Sequence, residues 1–291
     1  MMSDATRRSF LGKSALAPLA GAALAATGGR LAAQEYHIGG ADVKLGIASY
    51  SFRKFPRPKA IEMAKELGTP YINIKDFHLK LDSTPEEIDA AKKEFADAGL
   101  ILVGCGNVSF AKDDEADMRH KFEYAKRAGF PLIVCAPTAV TLPKLEKFVK
   151  EYNIKIAVHN HGPEDKHFPT PQSVLKVVKN MDPRCGLCMD IGHTSRTGVD
   201  IVESIVEAGP RLLDMHAKDL SDPMVKESQV PVGEGKLPIG RIFAQLVKMK
   251  YKGCVNLEYE VQADNPMPGM TKSFAYMRGV LAGIQAAKYP A

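Results

Sequence analysis

The stretch C-G-L-C-M-D-I-G-H-T-S-R, Cys185 to Arg196, reads as a short apolar strand that stops on an acid, Asp190, with His193 three residues later. A carboxylate closing a buried strand is costly to desolvate unless a metal or a paired cation compensates it. Three other apolar runs close in the same manner: Ile154–His161 on H-N-H, Leu212–Lys218 on H-A-K, and Val255–Glu260 on E-Y-E. The four endings are expected to meet around one divalent metal. Cys185 and Cys188 form a C-x-x-C pair, but it lies within the strand and no second pair accompanies it. It reads as core thiols rather than a redox or zinc motif.

Outward from that stretch one rhythm repeats. Apolar, β-branched runs occur at Val43–Ser49, Tyr71–Ile74, Leu100–Val103, Pro131–Ala136, Ile154–Val158, Gly186–Met189, Leu212–Met215 and Cys254–Leu257. Helical segments lie between them, with recognisable starts at Ser83-Thr84-Pro85, Thr141-Leu142-Pro143 and Pro169-Thr170-Pro171, and stops at Gly99 and Gly129. Eight strands alternating with helices over residues 34–291 predict a single-domain α/β protein, a (β/α)8 TIM barrel. A doubly wound sheet would need a Gly-rich phosphate loop. Gly104-Cys105-Gly106 lacks the third glycine, because position 109 is Ser, and Gly235-Lys236 is followed by Leu237.

The 291 residues are 45% hydrophobic and 25% charged, a globular composition. The net charge of +5 falls to about +2 once the first 33 residues are set aside, since Arg7, Arg8, Lys13 and Arg30 there face Asp4 alone. That is far from the basic excess of a nucleic-acid binder. Five cysteines, an odd number placed in apolar runs, suggest buried thiols rather than a disulfide framework. Residues 1–33 resemble a twin-arginine export signal: Thr6-Arg7-Arg8-Ser9-Phe10-Leu11-Gly12-Lys13, then a weakly apolar Ala-rich run with cleavage after Ala25 or Ala33. That run is too short to span a membrane stably, so no membrane insertion is expected after the signal is removed. The resemblance implies a periplasmic protein exported already folded.

Reactive groups of a TIM barrel lie at the C-terminal ends of its strands. Ser49-Tyr50-Ser51-Phe52 follows the first strand and Lys75-Asp76-Phe77-His78 the second. His159-Asn160-His161 closes the fifth, Asp190 with His193 and Arg196 the sixth, His216 with Lys218 the seventh, and Glu258 with Glu260 the eighth. Strand alternation puts His159 with His161, His216 with Lys218, and Glu258 with Glu260 on shared faces. Mixed imidazole and carboxylate ligation suits Mn, Co, Zn or Fe, and Mg less well. Each residue also has an ordinary explanation. A strand-end His can be a hydrogen-bonded structural group, Lys75, Asp76 and His78 a solvated rim, and His120 and His167 exposed surface.

These motifs resemble the xylose isomerase-like TIM-barrel family of sugar isomerases and epimerases, the AP endonuclease 2 superfamily. The similarity covers the whole mature chain. It rests on S-Y-S-F, H-N-H-G-P-E-D, D-I-G-H-T-S-R-T-G-V-D, H-A-K-D, the V-G-E-G loop at Val232–Gly235, and Y-K-G-C-V-N-L-E-Y-E. The resemblance implies a metal held by Asp190, His216 and Glu258. The fourth family ligand, a glutamate, is replaced here by His159, with His161 as the alternative. It further implies a sugar or keto-sugar substrate, and isomerase or epimerase chemistry through an enediolate. Glu258, His161, Lys218 and Glu260 are the candidate catalytic groups, and His193, Arg196, Lys75, His78 and Asn160 the candidate substrate contacts. Loss of a β-substituent from the same enediolate would make the enzyme a lyase or dehydratase on a 3-keto-glycoside or inosose-like substrate. A non-catalytic sugar-binding barrel is the other alternative, and a homo-oligomer is possible. A DNA repair endonuclease is disfavoured, because Glu227-Ser228-Gln229-Val230 offers no histidine before the V-G-E-G loop.

Overall fold

The computed structural model describes residues 43–288. The export signal expected over residues 1–33 lies outside them. Eight parallel strands close a barrel: β1 (Lys44–Ala48), β2 (Tyr71–Ile74), β3 (Ile101–Phe110), β4 (Leu132–Pro137), β5 (Lys155–His159), β6 (Cys185–Asp190), β7 (Leu212–Ala217) and β10 (Cys254–Leu257), in the order β1-β10-β7-β6-β5-β4-β3-β2. The helices are α1 (Arg57–Glu66), α2 (Pro85–Asp97), α3 (Glu115–Ala128), α4 (Leu142–Tyr152), α5 (Pro171–Val178), α6 (Ile191–Arg196), α7 (Ile201–Ala208), α8 (Ile239–Lys248) and α9 (Met267–Lys288). Among the described residues none is long and apolar enough to cross a membrane.

Local chemistry explains most of the boundaries. Thr84 and Glu87 form a reciprocal capping box at the start of α2, and Thr170 and Ser173 do the same for α5. Thr141 precedes α4 but turns away from it. Its hydroxyl and backbone bond to Thr138 instead, so it closes the preceding loop. Gly129 ends α3 in the left-handed region, φ 77°, where a side chain would be strained. The third strand is much longer than the run Leu100–Val103. It absorbs Gly104-Cys105-Gly106, and glycine is required at 106 because a side chain there would strike the Val134 carbonyl 2.0 Å away. The glycines serve close strand approach and no phosphate loop.

The main apolar core fills the space between sheet and helices, where Phe95, Phe122, Phe148 and Phe274 are fully buried. A much smaller cluster, Leu132, Val134, Ala157 and Cys188, packs on the face that also carries His159 and Asp190. Beside it the interior turns polar. Asp214 on β7 accepts from Asn256 Nδ2 at 2.8 Å and from the Cys188 thiol at 3.6 Å. Cys185 and Cys188, three apart on a strand, point to opposite faces of the sheet, and all five cysteines are free and buried.

Between β7 and α8 an excursion departs from the simple alternation. Strands β8 (Asp219–Leu220) and β9 (Gln229–Val230) pair antiparallel. The buried Asp219 carboxylate then accepts the backbone N–H groups of Leu220, Gly233, Gly235 and Leu237 at 2.9, 2.9, 3.2 and 3.0 Å. One carboxylate thus organises the whole V-G-E-G loop.

Candidate metal centre and active site

Four strand ends converge. One ligand atom from each of His159, Asp190, His216 and Glu258 lies within 4.8 Å of the other three, and all four residues are buried. His159 Nε2 faces His216 Nδ1 at 3.0 Å and Asp190 Oδ2 at 3.6 Å. His216 Nδ1 in turn is 3.1 Å from Glu258 Oε2 and 3.8 Å from Asp190 Oδ2. Two imidazole nitrogens facing each other can share only one proton, so a cation between them is a natural third party. Asp190 Oδ2 receives no aligned hydrogen bond despite complete burial, and the outer nitrogens His159 Nδ1 and His216 Nε2 are also without partners. Two imidazoles and two carboxylates at this spacing fit a divalent cation. His161, by contrast, is exposed, with its ring 5.3 Å from that of His159 and 4.5 Å from that of His193.

Two buried lysines complete the cluster. Lys218 Nζ lies 3.0 Å from Asp190 Oδ2, 3.1 Å from Glu258 Oε2 and 2.8 Å from Glu260 Oε1, while Lys75 Nζ is 3.2 Å from Glu258 Oε1. Burial pushes the Asp190 and Glu258 carboxyls up. Lys218 with His193 and His159 at the first, and His216 with Lys75 and Lys218 at the second, more than offset it and hold both well below the usual carboxylate range. Burial likewise works against the Lys218 charge, but Asp190, Glu258 and Glu260 outweigh it and hold the ammonium well above its ordinary value. Lys218 is therefore a fixed positive charge in these surroundings rather than a proton donor at neutral pH. Burial keeps His193 and His216 neutral, lowering them to about 3 and about 4.

The remaining sequence candidates divide. His193 and Arg196 line a cleft beside Lys218, Lys226, Gln229 and Glu260. Arg196 is clamped bidentately by Glu164 at 2.5 and 2.9 Å and also contacts His193 Nδ1 at 2.7 Å. Asn160 uses both ends of its amide on the scaffold. It donates to Thr194 Oγ1 and accepts from the Asp190 N–H, so it orients the acid that caps α6. His78 is buried with Nδ1 2.9 Å from Ser49 Oγ. A solvated rim is thus correct for Asp76 alone, because Lys75 and His78 are buried. His120 and His167 are exposed as expected.

Several working residues were not among the candidates read from the sequence. Ser49 Oγ accepts the Lys75 N–H, and Ser51 Oγ accepts the Tyr259 N–H. The two serines of S-Y-S-F therefore stitch β1 to both neighbouring strand ends. Gln229, in the β8–β9 hairpin, donates to the Glu258 carbonyl at 2.7 Å and accepts the Glu260 N–H at 2.9 Å. It holds the backbone that carries both glutamates. Only the excursion after β7, invisible as periodicity, brings it there.

Comparison with known proteins bears on this arrangement. The family model described as xylose isomerase-like TIM barrel matches residues 61–280. The chain belongs to the xylose isomerase-like TIM barrel family. No curated protein matches it significantly. Among solved structures it is similar to D-psicose 3-epimerase from Clostridium cellulolyticum H10, with 17% identity and TM-score 0.67, covering 82% of this chain and 99% of that one. An uncharacterised protein from Parabacteroides distasonis shares 24% identity at TM-score 0.65, over 81% and 98% of the two chains. A probable 3-DHS dehydratase from Bacillus anthracis shares 14% at TM-score 0.64, again over 81% and 98%. At these identities the likeness is one of fold. Among these structures a sugar epimerase stands beside a probable dehydratase.

Proposed function

We propose that this protein is a divalent-metal-dependent enzyme that isomerises or epimerises a ketose or keto-sugar by moving a proton next to the carbonyl. The observation that carries the proposal is the convergence of His159, Asp190, His216 and Glu258 at one rim of the barrel, backed by the buried charges of Lys75 and Lys218. A divalent cation held by His159, Asp190, His216 and Glu258 would supply Lewis-acid stabilisation of negative charge on the substrate oxygens. Lys218 adds a fixed positive charge on the same side, acting as an oxyanion-hole donor does. Glu258 has Oε1 against Lys75 and Oε2 against His216 and Lys218, so its lone pairs are already engaged. His161 is better suited as the base. Partial desolvation first, and the neighbouring His159 second, lower its pKa, leaving the ring neutral and open to the mouth at pH 7. Glu260, side chain 40% exposed and paired with Lys218, is the second group able to carry the proton across. His193 and Arg196 line the cleft where substrate oxygens would lie.

With His159 standing where the resemblance implies a glutamate, His161 and Glu260 would be the two groups that move the proton. Elimination from the same enediolate is the second reading, favoured by the dehydratase on this fold. The test follows deuterium incorporation from D2O into a panel of ketoses and 3-keto-glycosides by NMR, with Mn2+-loaded protein. Exchange without net loss supports isomerase or epimerase chemistry, and release of a β-substituent supports the lyase. No exchange on any carbonyl substrate defeats both. We further propose a periplasmic location through residues 1–33. Cell fractionation with N-terminal sequencing checks it, and an uncleaved cytoplasmic chain would refute it.

A further inference from the structure

Beneath the four strand ends the barrel interior holds a second group of donors. Cys188 on β6 and Asp214 on β7 are register partners, and two residues further along the same strands Asp190 pairs with His216. Strand alternation turns all four side chains to the inner face, so Cys188 and Asp214 sit one layer deeper than Asp190 and His216. The Cys188 sulfur, an Asp214 oxygen and a nitrogen of His216 all lie within 4.8 Å of one another, and the three residues are buried.

This layer is poorly satisfied from within the protein. The side-chain partners of the Asp214 carboxylate are two neutral groups, the Asn256 amide at 2.8 Å and the Cys188 thiol at 3.6 Å. Lys75 pairs with Glu258 instead, and among the described residues no ion pair reaches Asp214. A buried carboxylate without a cation is costly. His216 adds an open position of its own. Its Nδ1 is turned to His159 at 3.0 Å and Glu258 at 3.1 Å, while Nε2 is buried with no partner. Asn256 gives its amide N–H to Asp214 and leaves its buried Oδ1 without a donor. Protein interiors leave few such groups unpaired, so several in one layer beside a thiol point to a site that takes a ligand. Sulfur, imidazole nitrogen and carboxylate oxygen are donors that zinc-class ions accept together.

We propose that Cys188, Asp214 and His216 form a second cation site, for a zinc-class divalent ion, directly beneath the first. His216 is shared, with Nδ1 serving the upper ion and Nε2 the lower one. With both ions bound, the Cys188 thiol and the His216 ring each give up a proton to solvent, and the Asp214 charge is neutralised. The sulfur makes the lower site softer than the upper one, so it discriminates against Mg2+ and Mn2+. The site needs neither a sugar nor turnover to be examined.

Cobalt reports it directly, because a thiolate bound to Co2+ gives a near-ultraviolet charge-transfer band that nitrogen and oxygen ligands do not. The full chain, stripped with a chelator, is titrated with Co2+, and bound metal per chain is counted alongside the spectrum. Two ions per chain are expected, with the thiolate band present. Cys188→Ser and Cys188→Ala should each bind one ion and lose the band, while His159→Ala, which removes an upper ligand alone, should keep it. Far-UV circular dichroism checks that each variant is folded. No thiolate band in the parent chain overturns the lower site and leaves the upper one standing. A band that survives both Cys188 substitutions overturns it as well, because another cysteine then carries the ion. One ion per chain with a band that is lost only with Cys188 supports the lower site and defeats the upper. No bound cobalt at all defeats both.

Discussion

Lys218→Met removes a cation that touches Asp190, Glu258 and Glu260 together. Lys218, Asp190 and Glu258 are all at least nine-tenths buried, so solvent screens their interactions little. Deleting one partner of a buried ion pair costs about 3–5 kcal/mol, because the other charge stays buried and uncompensated. The lower figure applies here, since Lys75 still faces Glu258 and Glu260 is partly exposed. A loss of about 3 kcal/mol lowers Tm by about 6–12 °C for a domain of this size. Mn2+ should restore much of it. At a hundredfold excess over Kd a ligand adds about 2.7 kcal/mol, and each tenfold gain in affinity adds about 1.4 kcal/mol more. Removing a competing ammonium should tighten Mn2+ binding, so the Mn2+-induced rise in Tm should be larger in the variant than in the parent. Differential scanning calorimetry with and without Mn2+ reads both numbers. A Tm loss under about 2 °C, or an identical Mn2+ shift in the two proteins, would refute the view that Lys218 and a metal balance the same carboxylates.

Acid should weaken the metal-free fold before Asp190 and Glu258 titrate. His193 and His216, lowered by burial to about 3 and about 4, keep protons off in the folded state that the unfolded chain binds below about 6.5. Their contribution is present above that value and is lost as pH falls toward 4. Asp214, raised by burial to about 7, works in the opposite direction and offsets one of them. His78 and His161, also lowered by burial, add to the loss. The net slope between pH 6.5 and 4 is therefore at least about 1 kcal/mol per unit, and Asp214→Asn should steepen it by about 1 kcal/mol per unit in urea titrations; a flat profile contradicts the assignment. Gln229→Ala frees the Glu258 and Glu260 backbone and should weaken Mn2+ binding about tenfold by calorimetry, the usual scale for losing support around a ligand. Gln229→Glu, retaining only the acceptor half, should fall between, and unchanged affinity in both variants would remove Gln229 from the site. His159→Glu supplies a third carboxylate and should shift the Mg2+:Zn2+ affinity ratio toward Mg2+ by at least tenfold. No change in that ratio would show that His159 is not a ligand.

The barrel was legible because its signals are local. Alternation of β-branched runs with capped, amphipathic segments requires only neighbouring residues, and Thr84, Thr170 and Gly129 do at their element ends what their residue types dictate. The polar strand ends were legible for a similar reason, since a barrel brings equivalent positions of successive strands together whatever its loops do. The length of β3 and the role of Thr141 were not, because both depend on partners distant in sequence or on a competing turn. Gly106 sits where β3 bulges between Cys105 and Val108, and only glycine fits there because the Val134 carbonyl passes so close.

By itself, then, the sequence determined the architecture and the polar residue types at its rim: Asp190, His216, Glu258 and two candidate histidines, His159 and His161. Tertiary structure decided which histidine joins the cluster. His159, ending β5 with its ring turned inward, meets His216, whereas His161, two residues further along and past the last ladder pair, swings into the open mouth. It also decided the charges. Lys75 and Lys218 look like rim lysines in one dimension, yet folding buries them against the same carboxylates, where long-range contacts set their electrostatics. Asp190 remains the pivot of the stretch Cys185 to Arg196. It caps α6, closes β6 and presents a buried oxygen to the cluster in one residue, because the strand ends where the helix begins.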